Sequence, residues 1–167
     1  YRERNMKKTT ILIFAVICCF LYGCGGEAEC PPNYVSLARF EFLDSKTHTA
    51  VKMTNGATVT GTIWRDGTAN TDTVFNKAES YMSVPLSYTD QTTYVIHYTE
   101  IMRDTIELKH KNIPFVSDIE CPAMMFFDVE DIRYTTNALD SVKLVNPNIT
   151  NEEKINFYIY YRAANAE

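Results

Sequence analysis

The chain has 167 residues, of which 46% are hydrophobic, and its 16 basic and 21 acidic side chains give a formal charge of −5. That length accommodates one domain, and the acidic balance offers no basic stripe for phosphates, so nucleic acid is excluded as an expected partner. Six glycines and six prolines are too few for a collagen-like or low-complexity chain. These bounds predict one globular domain, but they indicate no molecular function.

The N-terminal segment has the pattern of a secretory signal. Lys7 and Lys8 follow Met6, and an apolar run occupies residues 9–20. Such a run is too short to cross a hydrocarbon core of about 30 Å comfortably as a helix. The pattern therefore predicts a cleaved signal peptide over residues 1–23. Residues 1–5 precede Met6, and we interpret them as an upstream extension outside the fold.

The end of the apolar run carries a cysteine motif. The sequence Leu21-Tyr22-Gly23-Cys24 resembles the lipobox of bacterial lipoproteins, with leucine three positions before the cysteine and a small residue directly before it. The resemblance implies a diacylglycerol thioether on Cys24 and cleavage after Gly23. Acyl chains on one cysteine anchor a protein stably, because each buried methylene adds about 0.8 kcal/mol. A plain signal peptide or an N-terminal membrane helix is the alternative.

The five cysteines divide into three groups. Cys18 and Cys19 leave with the signal, Cys24 takes the lipid, and Cys30 and Cys121 remain in an exported, oxidising compartment. We predict a disulfide between the last two that ties the start of the domain to a late strand. In the chain-entropy model, closing this loop of roughly 90 residues stabilises the fold by about 4–5 kcal/mol. Two buried thiols are the alternative.

The chain beyond the signal reads as strands from Tyr34 onward. Apolar and polar residues alternate with period two, and threonine, tyrosine, phenylalanine, valine and isoleucine dominate, as in β-strands. Met124 to Val129 is apolar on both faces and predicts a central strand. We expect an all-β protein, an antiparallel immunoglobulin-like β-sandwich of about seven to nine strands, with a barrel as the alternative. The alternating apolar positions include Phe40, Phe42, Val59, Gly61, Ile63, Met82, Val84, Leu86, Tyr94, Ile96, Ile106, Leu108, Val142, Leu144, Phe157 and Ile159.

The predicted domain boundaries follow from composition. A lipidated flexible tether covers residues 24–33, the sandwich residues 34–162, and a C-terminal tail residues 163–167. Removal of residues 1–23 takes away four basic residues and one acidic residue, so the mature chain carries a net charge of −8. Such an acidic surface favours solubility over charge-driven adhesion to anionic lipid.

At the scale of the chain, the sequence resembles a group of small Bacteroidota-type lipoproteins without an assigned activity. The resemblance rests on the lipobox, Cys30 soon after it, and the segments at residues 82–87, 103–106, 119–121, 139–144 and 155–160. It implies a β-sandwich in a Gram-negative envelope. Gly25 stands where some lipoproteins carry an aspartate that retains them in the inner membrane, so the resemblance favours the outer membrane. Whether the domain faces the periplasm or the outside stays open.

The chain shows weak signals for bound ions and no catalytic motif. His48, His97 and His110 lack zinc-ligand spacing, and we interpret them as surface residues. No Gly-x-Ser-x-Gly elbow occurs, so we expect no catalytic residues, no enzyme activity and no resident metal. Calcium prefers six to eight oxygen ligands. The candidate calcium ligands, predicted to lie in one loop with a plain turn as the alternative, are Asp66, Asn70 and Asp72.

Exposed aromatic residues and one threonine suggest surface roles. Trp64, Tyr158 and Tyr160 project opposite the expected core positions and could stack on a sugar ring or a protein partner, with burial as the alternative. Asp72-Thr73-Val74 resembles the acceptor motif of protein O-glycosylation in the same bacterial group, and we predict Thr73 to lie in a loop.

The leading hypothesis is therefore a lipid-anchored, non-enzymatic envelope protein with a structural or protein-interaction role. Its only expected cofactor is the diacylglycerol on Cys24, and its expected partners are the membrane and an envelope protein. A surface glycan-binding module is the alternative, and an envelope hydrolase is a weaker one.

Overall fold

The structure is a computed structural model that describes residues 29–53, 57–62 and 68–162 in full and residues 63–65 through their backbone. The predicted signal peptide, the lipidation site Cys24, the side chain of Trp64, the candidate ligand Asp66 and the predicted tail lie outside these residues. The part of the chain from residue 31 onward forms one compact unit. Among the described residues, no helix has the length and apolar character needed to cross a membrane.

The described part is built from strands. Alternating burial, as in Leu37–Asp44, gives each inner strand one apolar face and one polar face. The strands are β1 (Leu37–Asp44), β2 (Thr58–Arg65), β3 (Thr68–Phe75), β4 (Tyr81–Pro85), β5 (Gln91–His97), β6 (Arg103–Phe115), β7 (Met124–Tyr134), β8 (Leu139–Leu144), β9 (Asn148–Ile149) and β10 (Phe157–Tyr161).

Two sheets divide these strands. The four-stranded sheet has the order β4-β1-β10-β8, and the six-stranded sheet has the order β3-β2-β5-β6-β7-β9. Every pair is antiparallel except β1 with β10, where Phe40 lies opposite Phe157. The predicted all-β sandwich is confirmed. It has ten strands in the described residues, because the polar segment β3 and the two-residue β9 also pair.

The core lies between the sheets and is closed by aromatic rings. Phe40 and Phe157, neighbours on β1 and β10, stack with their centroids 4.4 Å apart. Tyr94 of the facing sheet meets Phe40 edge to face at 5.8 Å, and its hydroxyl donates to the Pro85 carbonyl at 2.7 Å. A buried tyrosine hydroxyl needs such a partner, so this bond lets the ring join an otherwise apolar core.

A buried carboxylate fixes the connection between β7 and β8. Asp104 is fully buried and accepts hydrogen bonds from the Thr135 hydroxyl (2.7 Å) and from the backbone N–H groups of Asn137, Ala138 and Leu139 (2.7–2.9 Å). Burial alone would raise the pKa of this carboxyl, but the four bonds outweigh it and hold the pKa below its usual range. Asp104 therefore acts as a structural acceptor that orders residues 135–139.

Asp104→Asn replaces one accepting oxygen with an N–H donor that faces backbone donors. We expect it to lower the free energy of unfolding by about 2–3 kcal/mol, because charged hydrogen bonds are lost and buried donors lose their acceptor. Urea titration measures the change. Asp131→Asn, on an exposed side chain paired with Arg133, is the control and should change stability by less than about 1 kcal/mol. Equal effects of the two substitutions would contradict this role of Asp104.

Candidate functional site

The strand pairings show which strand ends lie together at the end of the sandwich where the chain enters the domain. The start of β1 lies opposite the end of β4 at Leu37 and Pro85, and the start of β5 lies opposite β6 at Gln91 and Lys109. Loop bonds join both sheets at this end, including Asn156 Nδ2 to the carbonyl oxygen of Asn148 at 3.2 Å. We call this the entry end.

Exposed apolar side chains gather at the entry end. They come from the segment before β1, the β4–β5 loop, the extension of the β6–β7 hairpin and the end of β8. A monomeric surface rarely collects large apolar side chains in one region unless a partner covers them. The residues are Tyr34, Val35, Tyr88, Ile113, Phe115, Val116, Ile119, Leu144 and Val145.

The β6–β7 hairpin is longer than the sheet that supports it. Beyond Lys109, β6 pairs with β7 alone as far as Phe115, which lies opposite Met124. The rings of Phe115 and Phe126 stack at 4.6 Å and 18° on this extension. The stack stiffens a two-stranded ribbon that would otherwise be marginal. The hairpin therefore presents its turn at a fixed place on the entry end.

The disulfide lies at this turn. Cys30 and Cys121 are both disulfide-bonded, so the predicted pairing is confirmed. The expectation that Cys121 belongs to a strand is wrong, because the residue lies in the turn before β7, where its N–H donates to the Asp118 carbonyl at 3.1 Å. Nearby, Asn33 and Asn151 exchange two side chain–backbone hydrogen bonds of 3.1 and 2.9 Å. The two hydrogen bonds hold Asn33 against the segment that precedes β10.

A buried histidine organises the β4–β5 loop behind this surface. His110 is 1% exposed, its Nε2 lies 2.8 Å from the Thr92 hydroxyl, and its Nδ1 lies 2.9 Å from Asn112 Oδ1. Asn112 Nδ2 donates to the carbonyls of Tyr88 and Thr89, so its Oδ1 must accept from a protonated Nδ1. With Nδ1–H donating to Asn112, a neutral ring presents Nε2 as an acceptor to the Thr92 hydroxyl, which can donate to it. Burial lowers the pKa of His110, against the raising effect of Asn112.

The three histidines differ in how well they fit the surface interpretation. That expectation is wrong for His110, which is buried because it continues the inward alternation of Ile106 and Leu108. His97 is half-buried, with Nε2 3.1 Å from the Thr60 hydroxyl. His48 is exposed in a turn at φ 56°. Among the described residues, no group of three or more His, Cys, Asp or Glu side chains could hold a metal ion.

The predicted aromatic residues do not share one face. Trp64 belongs to β2 of the six-stranded sheet, whereas Tyr158 and Tyr160 belong to β10 of the four-stranded sheet. Tyr158 and Tyr160 are half-buried, with ring centroids 6.4 Å apart.

A tyrosine and a glutamate join Tyr158 in one row. Glu41 pairs with Tyr81 on one side and with Tyr158 on the other. The Arg39 guanidinium lies 5.9 Å from the centre of the Tyr81 ring. This row of Tyr81, Glu41 and Tyr158 brings aromatic and polar side chains of three neighbouring strands together, which sequence periodicity alone could not predict.

The described part of the predicted calcium loop and the predicted glycosylation site form a strand instead. Asn70 and Asp72 lie on β3, opposite Ile63 and Gly61, so the expectation of a loop across them is wrong. Thr73 lies on the same strand, exposed, and its N–H donates to its neighbour's carboxylate, Asp72 Oδ1, at 2.8 Å. Backbone pairing with β2 holds this polar segment extended, although its composition is typical of a loop. Thr73 therefore stays a predicted acceptor of O-glycosylation, but it lies on an exposed edge strand and not in a loop.

Comparison with known proteins gives one match. The model of a Family of unknown function (DUF6452) matches residues 57–161, which span β2 to β10. No curated protein matches the chain, and no solved structure matches it.

The lowered pKa of the buried His110 ring predicts that stability depends on pH. The unfolded chain binds a proton at this ring near pH 6.5, whereas the folded chain resists it, so stability is complete above that pH. It should fall as the pH is lowered through the depressed folded pKa, with a slope of at most about 1.4 kcal/mol per pH unit. Urea titrations between about pH 7.5 and pH 5 measure this slope.

His110→Gln should flatten that dependence, because the ionisable ring is removed. The matched control is His48→Asn. His48 is exposed, and asparagine tolerates the left-handed backbone conformation found there. This variant should keep the wild-type slope of stability against pH. A wild-type chain whose stability does not change over this pH range would show that His110 is not held neutral.

Proposed function

We propose that this chain, which belongs to the Family of unknown function (DUF6452), is a lipid-anchored β-sandwich of the bacterial cell envelope. It acts without catalysis, in structure or in protein interaction. Its anchor is a diacylglycerol on Cys24, and its location is the outer membrane of a Gram-negative cell of the Bacteroidota type. This assignment rests on the likeness of residues 21–24 to a lipobox and on the contacts described above.

The observation that carries the proposal is the disulfide between Cys30 and Cys121. Structural disulfides form and persist in exported proteins, because cytosolic thiols are kept reduced. The pair thus supports the interpretation of residues 1–23 as an export signal. It also leaves Cys24 as the cysteine beyond that signal that the disulfide does not use. A thiol directly after Gly23 is what a lipid transferase requires.

The entry end supports a role in interaction. Nine of the thirteen exposed large hydrophobic residues in the described part of the chain belong to segments at the entry end, and such exposure is typical of a surface that a protein or a membrane covers. The stacked Phe115 and Phe126 and the disulfide hold part of this surface rigidly. A rigid apolar surface binds with less loss of conformational entropy than a mobile one.

Intact-mass analysis of the chain purified from its native membranes tests the anchor. We expect a polypeptide that begins at Cys24 and carries two or three acyl chains. Cys24→Ala should abolish acylation and leave the signal uncleaved, because the accepting thiol is gone. Cys19→Ala, a cysteine within the same segment, is the control and should be processed normally. An unmodified chain that retains Met6 would refute the lipid anchor.

A second candidate function is glycan binding, which the Tyr81, Glu41 and Tyr158 row favours. Sugar rings stack on aromatic side chains, and a neighbouring carboxylate and guanidinium can accept and donate hydrogen bonds to hydroxyl groups. The row lies on the outer face of the four-stranded sheet. The open face of a sheet suits an extended polysaccharide more than a small molecule, which prefers a concave pocket.

Affinity electrophoresis with peptidoglycan fragments and a panel of neutral polysaccharides tests this candidate. Tyr158→Ala should weaken any binding about tenfold, as expected when an aromatic contact at the centre of an interface is truncated. Tyr88→Ala removes an exposed tyrosine away from this row and should leave binding unchanged. Failure of the wild-type chain to bind any member of the panel would eliminate the glycan hypothesis.

A further inference from the structure

We infer that the entry end rests on the surface of the membrane that holds the lipid anchor, with the β6–β7 turn in contact with zwitterionic lipid headgroups. The inference rests on the proposed lipidation of Cys24. It adds an orientation of the domain and assigns a lipid surface as the occupant of the exposed apolar cluster.

Covalent distances set the first constraint. Five residues lie between Cys24 and Cys30, so the six Cα–Cα steps between the two cysteines span at most roughly 20 Å. Cys30 is bonded to Cys121, which lies in the hairpin turn two residues after Ile119. A lipid on Cys24 therefore keeps this turn near the membrane surface.

The length of the sandwich sets the second constraint. β6 has 13 residues and extends for roughly 40 Å from Arg103 to Phe115. The β5–β6 turn, which contains Ile101, lies beyond the Arg103 end of this strand. When the entry end contacts the membrane, Ile101 lies in the aqueous phase, about 40 Å farther from the membrane than the β6–β7 turn.

The chemistry of the entry end fits an interfacial contact. Ile119 is 96% exposed, and the exposed Val116 and Phe115 lie three and four residues before it in sequence. Burying such side chains at the boundary between headgroups and acyl chains is favourable at about 25 cal/mol per Å² of apolar surface. A protein partner could also cover them, but the short tether places lipid, and no other identified surface, within reach.

Acidic residues set the depth and the lipid class. Asp118 and Glu120 are exposed on either side of Ile119, and Asp118 Oδ1 accepts a 3.3 Å bond from the Glu120 N–H. Carboxylates remain in the headgroup layer, because their desolvation is costly. They are repelled by anionic lipid. We therefore expect contact with phosphatidylcholine or phosphatidylethanolamine surfaces, limited to the headgroup boundary.

Two isoleucines provide a matched test. Ile119 in the hairpin turn and Ile101 in the opposite turn are 96% and 94% exposed, so tryptophan fits at either position without disturbing the core. Each is introduced into the full chain with Trp64→Phe, and the lipidated protein is reconstituted into phosphatidylcholine vesicles containing brominated acyl chains. Acylation and vesicle binding are first verified by mass and flotation.

We expect the emission of Ile119→Trp to shift to the blue and to be lost in proportion to the bromolipid content, whereas that of Ile101→Trp stays unchanged. An acylated, vesicle-bound protein in which neither tryptophan is quenched would overturn the membrane contact and leave the proposed lipid anchor intact. A chain without lipid would instead remove the proposed function and this inference together. Stronger quenching in phosphatidylglycerol vesicles would contradict the zwitterionic assignment.

Discussion

The β6–β7 hairpin is the element on which the other contacts depend, and the Cys30–Cys121 disulfide ties its turn to the start of the domain. The first half of β6 carries Asp104, which orders the β7–β8 connection, and its middle carries His110, which fixes the β4–β5 loop. Its last residues leave the sheet and present the apolar turn. One strand thus links the core to the surface that we propose to be functional.

The domain combines a tightly packed core with an exposed apolar surface at the entry end. Rings from three strands fill the core, so the sheets pack at a defined distance and orientation. The entry end, in contrast, leaves Val116, Ile119 and Val145 exposed to solvent. Exposure of apolar surface costs solubility, and proteins retain it where a partner or a membrane covers it. A lipid anchor a few residues away would provide such a cover.

Sequence periodicity was sufficient for the inner strands, because a strand with one buried face must alternate. It failed for β3, whose threonine, asparagine and aspartate residues are typical of loops and are held extended by pairing with β2. His110 follows Asp104, Ile106 and Leu108 at intervals of two, a signal that its charged neighbours obscured. The Tyr81, Glu41 and Tyr158 row depends on strand order, and strand order is set by tertiary packing, which local patterns do not contain.

Peptide mapping under non-reducing conditions tests whether Cys30 is covalently linked to Cys121 in the hairpin turn. The chain is purified from membranes with its free cysteines blocked by alkylation before digestion. We expect one cross-linked species that contains the peptides of Cys30 and Cys121 and separates on reduction. Recovery of both peptides as alkylated thiols before reduction would contradict the fold of the entry end, the export argument and the proposed orientation at once.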